Sequence, residues 1–268
     1  MLPVLRSVLR PWVLSWAALV VTMALASCAA APLTAAPQTR TAPVAEVASS
    51  AQAAKVVVLD PGHNGGNSGA KGAINRQVPD GRGGTKACNT TGTATDAGYA
   101  EHAFTFDVAR RVGERLSASG VRVVMTRTDD AGVGPCVDER ARAGEQAEAD
   151  AVVSIHADGA GPGARGFHVA FAEPPVNAAQ RGPGRALAAD LRDALVAAGF
   201  PRSSYIGRDG LSPRADLAGL NLATRPTALV ECANMRNPEE AALVSSEAGR
   251  DRYAAAIADG VQRFLDGR

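Results

Sequence analysis

Residues 55–66 read K-V-V-V-L-D-P-G-H-N-G-G, and this stretch decides the fold class. The run from Lys55 to Asp60 is short, rich in β-branched residues and closed by Pro-Gly. Such a run is typical of a strand that is buried on both faces of a parallel sheet. His63 follows directly, so a side chain that can bind a metal is expected at the carboxyl end of this strand.

Strands and helices alternate downstream of this first strand. A long polar segment, residues 61–98, is followed by a helix at 101–120 in which apolar residues recur every four positions and Gly120 marks the end. Further strands are predicted at 121–127, 151–156, 166–172 and 227–232, and further helices at 137–149, 184–199 and 238–266. This alternation predicts an α/β domain whose sheet is covered by helices on both faces.

The first 54 residues differ from the rest. Residues 1–28 contain two arginines and then an apolar run, 11–26, that ends in small residues and predicts an export signal. The run is shorter than the roughly 20 residues of a spanning helix, although a permanent anchor remains an alternative. Residues 25–28 resemble a lipobox, which leaves lipidation of Cys28 and ordinary cleavage both open. Residues 29–54, rich in Ala, Pro, Thr and Ser, predict a flexible tether, and the folded domain is expected at 55–268.

Composition excludes several classes of protein. The chain has 268 residues, is 46% hydrophobic and carries 28 Lys and Arg against 27 Asp and Glu, so neither disorder nor a nucleic-acid partner is indicated. The formal charge of +1 divides into +2 for residues 1–54 and −1 for the predicted folded domain. Only 4% of the residues are aromatic, which argues against an attached aromatic-rich glycan-binding module.

Polar residues that can bind a metal stand at the ends of three predicted strands: His63, His156 and Glu231. Glu101 lies in the first turn of the helix after the polar segment. Taken singly each is ambiguous, because strand histidines are commonly structural and helix starts favour acidic residues. Together they provide the two-histidine, one-carboxylate set of catalytic zinc, which leaves a coordination position for water. The remaining carboxylate is then placed to transfer the proton of that water.

Five sequence blocks carry a family resemblance: V-V-L-D-P-G-H-N-G-G, V-x-V-V-M-T-R, D-E-R, A-D-A-V-V-S-I-H-A-D and L-V-E-C-A-N-M-R-N-P. With Glu101 at a helix start, they occur in the order seen in zinc-dependent N-acetylmuramoyl-L-alanine amidases. Over residues 55–267 the chain resembles the compact single-domain type of mycobacteria-like bacteria. The resemblance implies a twisted, mostly parallel mixed sheet of about six strands with helices on both faces.

The resemblance also implies a reaction and its residues. His63, Glu101 and His156 would bind one Zn²⁺ per chain, and Glu231 would be the catalytic residue. The reaction implied is hydrolysis of the amide between N-acetylmuramic acid and the L-alanine of the stem peptide. The expected partner is peptidoglycan or soluble muropeptide fragments. The expected enzyme is an exported monomer of the periplasm or cell wall that meets the membrane only through its signal or a lipid on Cys28.

Two rival functions remain open at this point: a zinc peptidase or deacetylase acting on cell-wall material, and a non-catalytic wall-binding module. The sequence also departs from the family. Cys232, Ala233 and Asn234 stand where many members have L-G-F, and Asp158 stands where many have Asn. Some members carry a long inserted helix that blocks the metal site. Residues 173–183 are too short for such a helix, so a constitutively open site is expected.

Other polar residues have alternative roles. Asp60 is expected either to orient His63 through its other ring nitrogen or to cap the Pro-Gly turn. Arg140 is expected to pair with a carboxylate at the core edge or to contact substrate. His102 would point roughly 100° away from Glu101 on a helix, so it is not expected to share the metal. A surface histidine is expected, with a supporting or substrate-contacting role as the alternative. A substrate contact of Asp158 stays open.

The cysteines downstream of residue 54 are expected to have structural roles. In an exported protein, Cys88 and Cys136 are predicted to form a disulfide that fastens the long polar segment to the body of the domain. Metal binding is the alternative, but neither residue has the close cysteine partner of a C-x-x-C pair. Cys232 is expected as a buried thiol beside Glu231. His168, in the middle of a predicted strand, is expected to be structural.

Overall fold

A computed structural model describes residues 53–267. The predicted export signal (1–28), the lipobox with Cys28 and all but the end of the predicted tether (29–54) lie outside the described residues. Within residues 53–267, no helix combines the length and the apolar character needed to cross a membrane.

The described part of the chain contains short and long elements in alternation. The strands are Val56–Pro61 (β1), Gln77–Pro79 (β2), Thr85–Ala87 (β3), Arg122–Met125 (β4), Ala151–Asp158 (β5), His168–Ala172 (β6), Leu211–Arg214 (β7) and Thr227–Asn234 (β8). The α-helices are Lys71–Ile74 (α1), Glu101–Ala118 (α2), Val137–Gln146 (α3), Arg185–Ala197 (α4), Ala218–Asn221 (α5), Pro238–Ser245 (α6) and Glu247–Leu265 (α7).

Six of the strands described within residues 53–267 form one sheet in the order β4-β1-β5-β8-β6-β7. All neighbours in this sheet run parallel except β6 and β8, which are antiparallel. The predicted α/β class with a mixed, mostly parallel sheet is therefore confirmed. Because β1, β5 and β8 are parallel neighbours, their carboxyl ends meet at one edge of the sheet.

Helices cover both faces of the sheet. The larger core lies under α2, α4 and α7, where Leu59 and Ile155 of the sheet share one cluster with Phe104 and Ile257. The opposite face is covered by α3, over Val58 and its neighbours, and by the short α5, over the end of β6 and part of β8. The second face is thus covered by smaller elements, and a cavity remains between them.

Helix α2 follows the predicted periodicity. Phe104, Val108, Val112 and Leu116 are all at most 1% exposed. The chain leaves the helix after Ala118, and Gly120 adopts a φ of +82°, which only glycine adopts without steric cost. The amphipathic pattern therefore also positions Glu101, which is the first residue of this helix.

The polar segment 61–98 is not an irregular loop. It contains a 3-10 turn at Gly65–Gly69, helix α1 and the antiparallel hairpin β2–β3, with Ile74 and Val78 buried. The predicted disulfide joins Cys88 to Cys136, just before α3. Strands of three residues carry too little periodicity to be recognised, and β7 (L-S-P-R) lacks the β-branched residues that mark a strand. These elements were missed for that reason.

Candidate metal centre and active site

The edge at which β1, β5 and β8 end brings the candidate residues together. His63 follows β1, while His156 in β5 and Glu231 in β8 are directly paired across the two strands. His63, His156 and Glu231 line one cavity of about 260 Å³, which lies between the sheet, α3, α5 and the end of the hairpin. Glu101 reaches the same edge from the start of α2.

Three of these side chains form a compact donor set. The Oε1 atom of Glu101 lies 3.1 Å from Nε2 of His63 and 3.0 Å from Nδ1 of His156. The two imidazole rings are nearly perpendicular, with centroids 4.9 Å apart. One donor atom from each residue lies within 4.8 Å of the other two. Two imidazole nitrogens and one carboxylate oxygen are a donor set that suits a catalytic zinc ion.

The carboxylate of Glu101 is held in its charged form. Its Oε2 accepts a hydrogen bond from the backbone N–H of Thr93 at 2.9 Å, and its Oε1 accepts one from Ala157 at 3.2 Å. Burial alone would raise the pKa of Glu101, but the hydrogen bonds and charges of His156 and His63 outweigh it and hold the pKa well below its usual range. An ionised carboxylate is the form that binds a cation.

His63 is oriented by Thr90. Its Nδ1 lies 3.1 Å from the carbonyl oxygen of Thr90 and 3.2 Å from the hydroxyl of the same residue. A proton on Nδ1 would be donated to that carbonyl and would leave the lone pair of Nε2 directed at the donor set. Thr90 thus does what the sequence suggested for Asp60, and no sequence pattern pointed to it.

Asp60 has other partners, so both expectations for it are wrong. Its Oδ1 accepts hydrogen bonds from Arg140 and from Thr126, each at 2.6 Å, and its Oδ2 accepts one from Ser154 at 2.7 Å. Burial would raise the pKa of Asp60, but the charge of Arg140 and these hydrogen bonds lower it. Arg140 therefore pairs with a carboxylate at the core edge, which was the first of its two alternatives.

Glu231 has different surroundings from Glu101, although both side chains lie at the same edge of the sheet. Its Oε2 is buried and has no hydrogen-bond partner in the described part of the chain. Burial, followed by the negative charges of Glu101 and Asp158, raises the pKa of Glu231 well above its ordinary value, while Arg214 acts in the opposite direction. A raised pKa favours the protonated carboxyl group, which is the form from which a general acid donates a proton.

The remaining candidates lie around this centre. His102 points away from the donor set, and its Nδ1 lies 2.7 Å from Oδ2 of Asp130. Asp158 accepts hydrogen bonds from the hydroxyl of Tyr205 at 3.1 Å and from the N–H of Gly159 at 2.7 Å. Neither His102 nor Asp158 is among the residues that line the cavity.

Two further residues stand next to Glu231. His168 lies opposite it in the β6–β8 pairing, is 1% exposed, and has no hydrogen-bond partner for its Nδ1 among the described residues. Burial lowers the pKa of His168 to about 4, so the ring is neutral at pH 7. Cys232 is buried and is the free cysteine of the part that the structure describes. Ala233 and Asn234 are equally buried. The three residues that replace the family's L-G-F therefore lie in the core behind the cavity.

Comparisons with known proteins agree with this geometry. A family model described as N-acetylmuramoyl-L-alanine amidase (Amidase_3) matches residues 57–263. The N-acetylmuramoyl-L-alanine amidase Rv3717 of Mycobacterium tuberculosis is 51% identical over 213 residues, which are 80% of this chain and 87% of that protein. The crystal structure of the N-acetylmuramyl-L-alanine amidase Ami1 of Mycobacterium smegmatis matches with a TM-score of 0.78 and 54% identity, covering 80% of this chain and 98% of that one.

Proposed function

The chain belongs to the N-acetylmuramoyl-L-alanine amidase family and is a peptidoglycan amidase; we propose that it is zinc-dependent, with His63, Glu101 and His156 as the ligands and Glu231 as the catalytic acid and base. One observation carries this proposal. The donor atoms of His63, Glu101 and His156 lie within 4.8 Å of one another. The buried, unpartnered Oε2 of Glu231 lies at the same edge of the sheet.

The chemistry of the donor set supports zinc. Glu101 is ionised, and the orientation of His63 by Thr90 leaves a lone pair for a metal. A zinc ion bound there would act as a Lewis acid toward the amide carbonyl and would lower the pKa of a coordinated water to about 7.

We assign the proton transfers to Glu231. Its unpartnered Oε2 can accept the proton of the attacking water. Because its environment raises the pKa, the carboxyl group can keep that proton until the amide nitrogen of L-alanine leaves and takes it up. The bond that breaks is the amide between the lactyl carbonyl of N-acetylmuramic acid and that nitrogen.

We further propose that the site is open without activation. The side chains of His63 and His156 are 11% and 18% exposed, and residues 173–183 contain no long helix, only most of a short π-helical turn at Gln180–Gly184. We also propose an exported monomer with a signal at 1–28, a tether at 29–54 and the catalytic domain at 55–268. Because only 4% of the residues are aromatic, we propose that soluble muropeptides are preferred substrates.

Digestion of purified muropeptides tests the proposal. An amidase separates the stem peptide from the sugar, so mass spectrometry should show sugar-free peptides that begin with L-alanine. A peptidase would shorten the stem peptide, a deacetylase would leave it attached to the sugar, and a binding module would leave the substrate intact. A chelator should stop the reaction and added Zn²⁺ should restore it. Turnover that survives complete removal of metal would contradict the zinc proposal.

A further inference from the structure

The turn formed by Pro61, Gly62 and His63 contacts every element that carries a proposed metal ligand. It contains His63 itself. Gly62 lies against the ring of His156, so closely that a β-carbon at position 62 would stand 2.2 Å from Cε1 of that ring. The carbonyl oxygen of Gly62 accepts a hydrogen bond of 2.8 Å from the hydroxyl of Thr105, in α2 one turn after Glu101. The position of this turn therefore sets the spacing of the three donor atoms.

The turn does not adopt its shape by local preference. His63 has a φ of +59°, in the left-handed region that residues with a β-carbon seldom occupy. Such a conformation persists only where tertiary contacts hold it. Besides the hydrogen bond from Thr105 and one from the N–H of Gly62 to the carbonyl oxygen of Ile155 at 2.9 Å, two buried arginines on different elements hold it.

Arg127 and Arg140 donate hydrogen bonds to all three carbonyl oxygens of the turn. Arg127, which follows β4, donates to Pro61 at 3.0 Å and to Gly62 at 3.2 Å. Arg140, in α3, donates to Pro61 and to His63, each at 2.7 Å. Both arginines are 5% exposed. The planar guanidinium, with its fixed fork of donors, suits this task because it can bind neighbouring carbonyls at the same time.

Arg127 also ties the turn to the helix that begins with Glu101. Its Nη2 donates to the carbonyl oxygen of His102 at 2.8 Å and to the hydroxyl of Thr105 at 3.2 Å. The charge of Arg127 is balanced by Asp130 at 2.9 Å. The charge of Arg140 is likewise balanced, by Asp60 at 2.6 Å. Neither guanidinium is therefore drawn away toward an unpaired carboxylate elsewhere.

We propose that Arg127 and Arg140 are positioning residues that hold the Pro61–His63 turn in the metal-binding geometry before the metal arrives. Neither arginine is one of the proposed metal ligands. The sequence motifs T-R and D-E-R thus supply the two sides of one clamp. This proposal rests on the proposed metal site, because the clamp acts through His63 and Glu101.

The test measures metal affinity in the full chain. Arg127→Lys and Arg140→Lys keep the positive charge but lose the planar guanidinium that binds several carbonyls at once. Each should weaken Zn²⁺ binding by about 10- to 100-fold, measured in competition with a chromophoric chelator. Arg122→Lys is the matched control, because Arg122 also donates to a backbone carbonyl, that of Ala147 at 2.9 Å, but on the exposed surface. The control should bind Zn²⁺ with unchanged affinity. Wild-type affinity in both clamp variants would overturn the proposal, even if their melting temperatures fall.

Thr105 provides a milder pair of variants if the arginine variants do not fold. Thr105→Val removes the hydrogen bond to Gly62 with little change of shape and should weaken Zn²⁺ binding, whereas Thr105→Ser should restore it. Equal affinity in the two variants would contradict the clamp. A wild-type chain that binds no Zn²⁺ at all would instead overturn the metal site on which the clamp depends. The two failures are therefore distinguishable.

Discussion

Two glutamates at the same edge of the sheet have opposite surroundings. On the β1–β5 side, the carboxylate of Glu101 accepts hydrogen bonds from backbone N–H groups and contacts two imidazoles, and its pKa is lowered. On the β8–β6 side, Glu231 has a buried oxygen without a partner in the described chain, and its pKa is raised. Both residues are glutamates near strand or helix ends, so residue type alone does not distinguish them.

The difference is one of hydrogen-bond donors. Donors surround Glu101 and favour its charged form, which is the form needed to hold a cation. Burial without donors favours the neutral form of Glu231, which is the form needed to carry a proton. Two identical side chains at one site can therefore differ in charge, because one is surrounded by hydrogen-bond donors and the other is buried without them.

Exchanging each glutamate for glutamine tests this division most strongly. Glu231→Gln should keep its zinc and lose about 10²- to 10⁴-fold in kcat, because the proton carrier is gone. Glu101→Gln should lose zinc itself, because an amide is a poorer ligand than a carboxylate. Metal analysis and kcat are measured on both variants, each serving as the control for the other. If Glu231→Gln kept activity within tenfold of wild type, Glu231 would have no part in the proton transfers.

Removal of the disulfide tests the β1–β5 side alone. The bond links residues 48 positions apart and stands next to Asn89 and Thr90, the residue that orients His63. The chain-entropy account gives about 4 kcal/mol for a loop of this length, so Cys88→Ser with Cys136→Ser should lower the free energy of unfolding by about that amount. Urea denaturation checks this.

The control for the disulfide is Cys232→Ala, which removes the buried thiol on the β8 side and leaves the disulfide intact. Zinc affinity should fall in the double serine variant and stay unchanged in this control. Equal stability of the wild type and the double serine variant would show that the disulfide does not hold the segment in place.

The smallest effect concerns the β8–β6 side and appears only in acid. Burial lowers the pKa of His168 to about 4, from about 6.5 in the unfolded chain. As the pH falls, the unfolded chain binds a proton at His168 before the folded chain does. The contribution of neutral His168 to the free energy of unfolding is therefore complete above pH 6.5 and is lost as the pH falls toward 4. The difference corresponds to about 3 kcal/mol. Urea denaturation between pH 7 and pH 4.5 should show a steeper loss in wild type than in His168→Asn, and parallel curves would refute the assignment.

Local sequence patterns predicted the long helix α2 and the central strands of the sheet. The period of four in α2 predicted its buried face, because one face of a helix must meet the core whatever the sequence around it. The β-branched runs predicted the central strands for a similar reason. The three-residue strands of the hairpin escaped prediction because they are too short to show a period. The Pro-containing β7 escaped prediction because it depends on pairing with β6, which is distant in the chain.

The sequence by itself determined the α/β class, the family and the residue types gathered at the strand ends, because these follow from periodicity and from the chemistry of side chains. Only the tertiary structure decided that Thr90 rather than Asp60 orients His63, and that Arg127 and Arg140 share one turn. It also decided the opposite pKa shifts of Glu101 and Glu231. Burial and hydrogen-bond donors come from residues far apart in the chain, so no local pattern contains them.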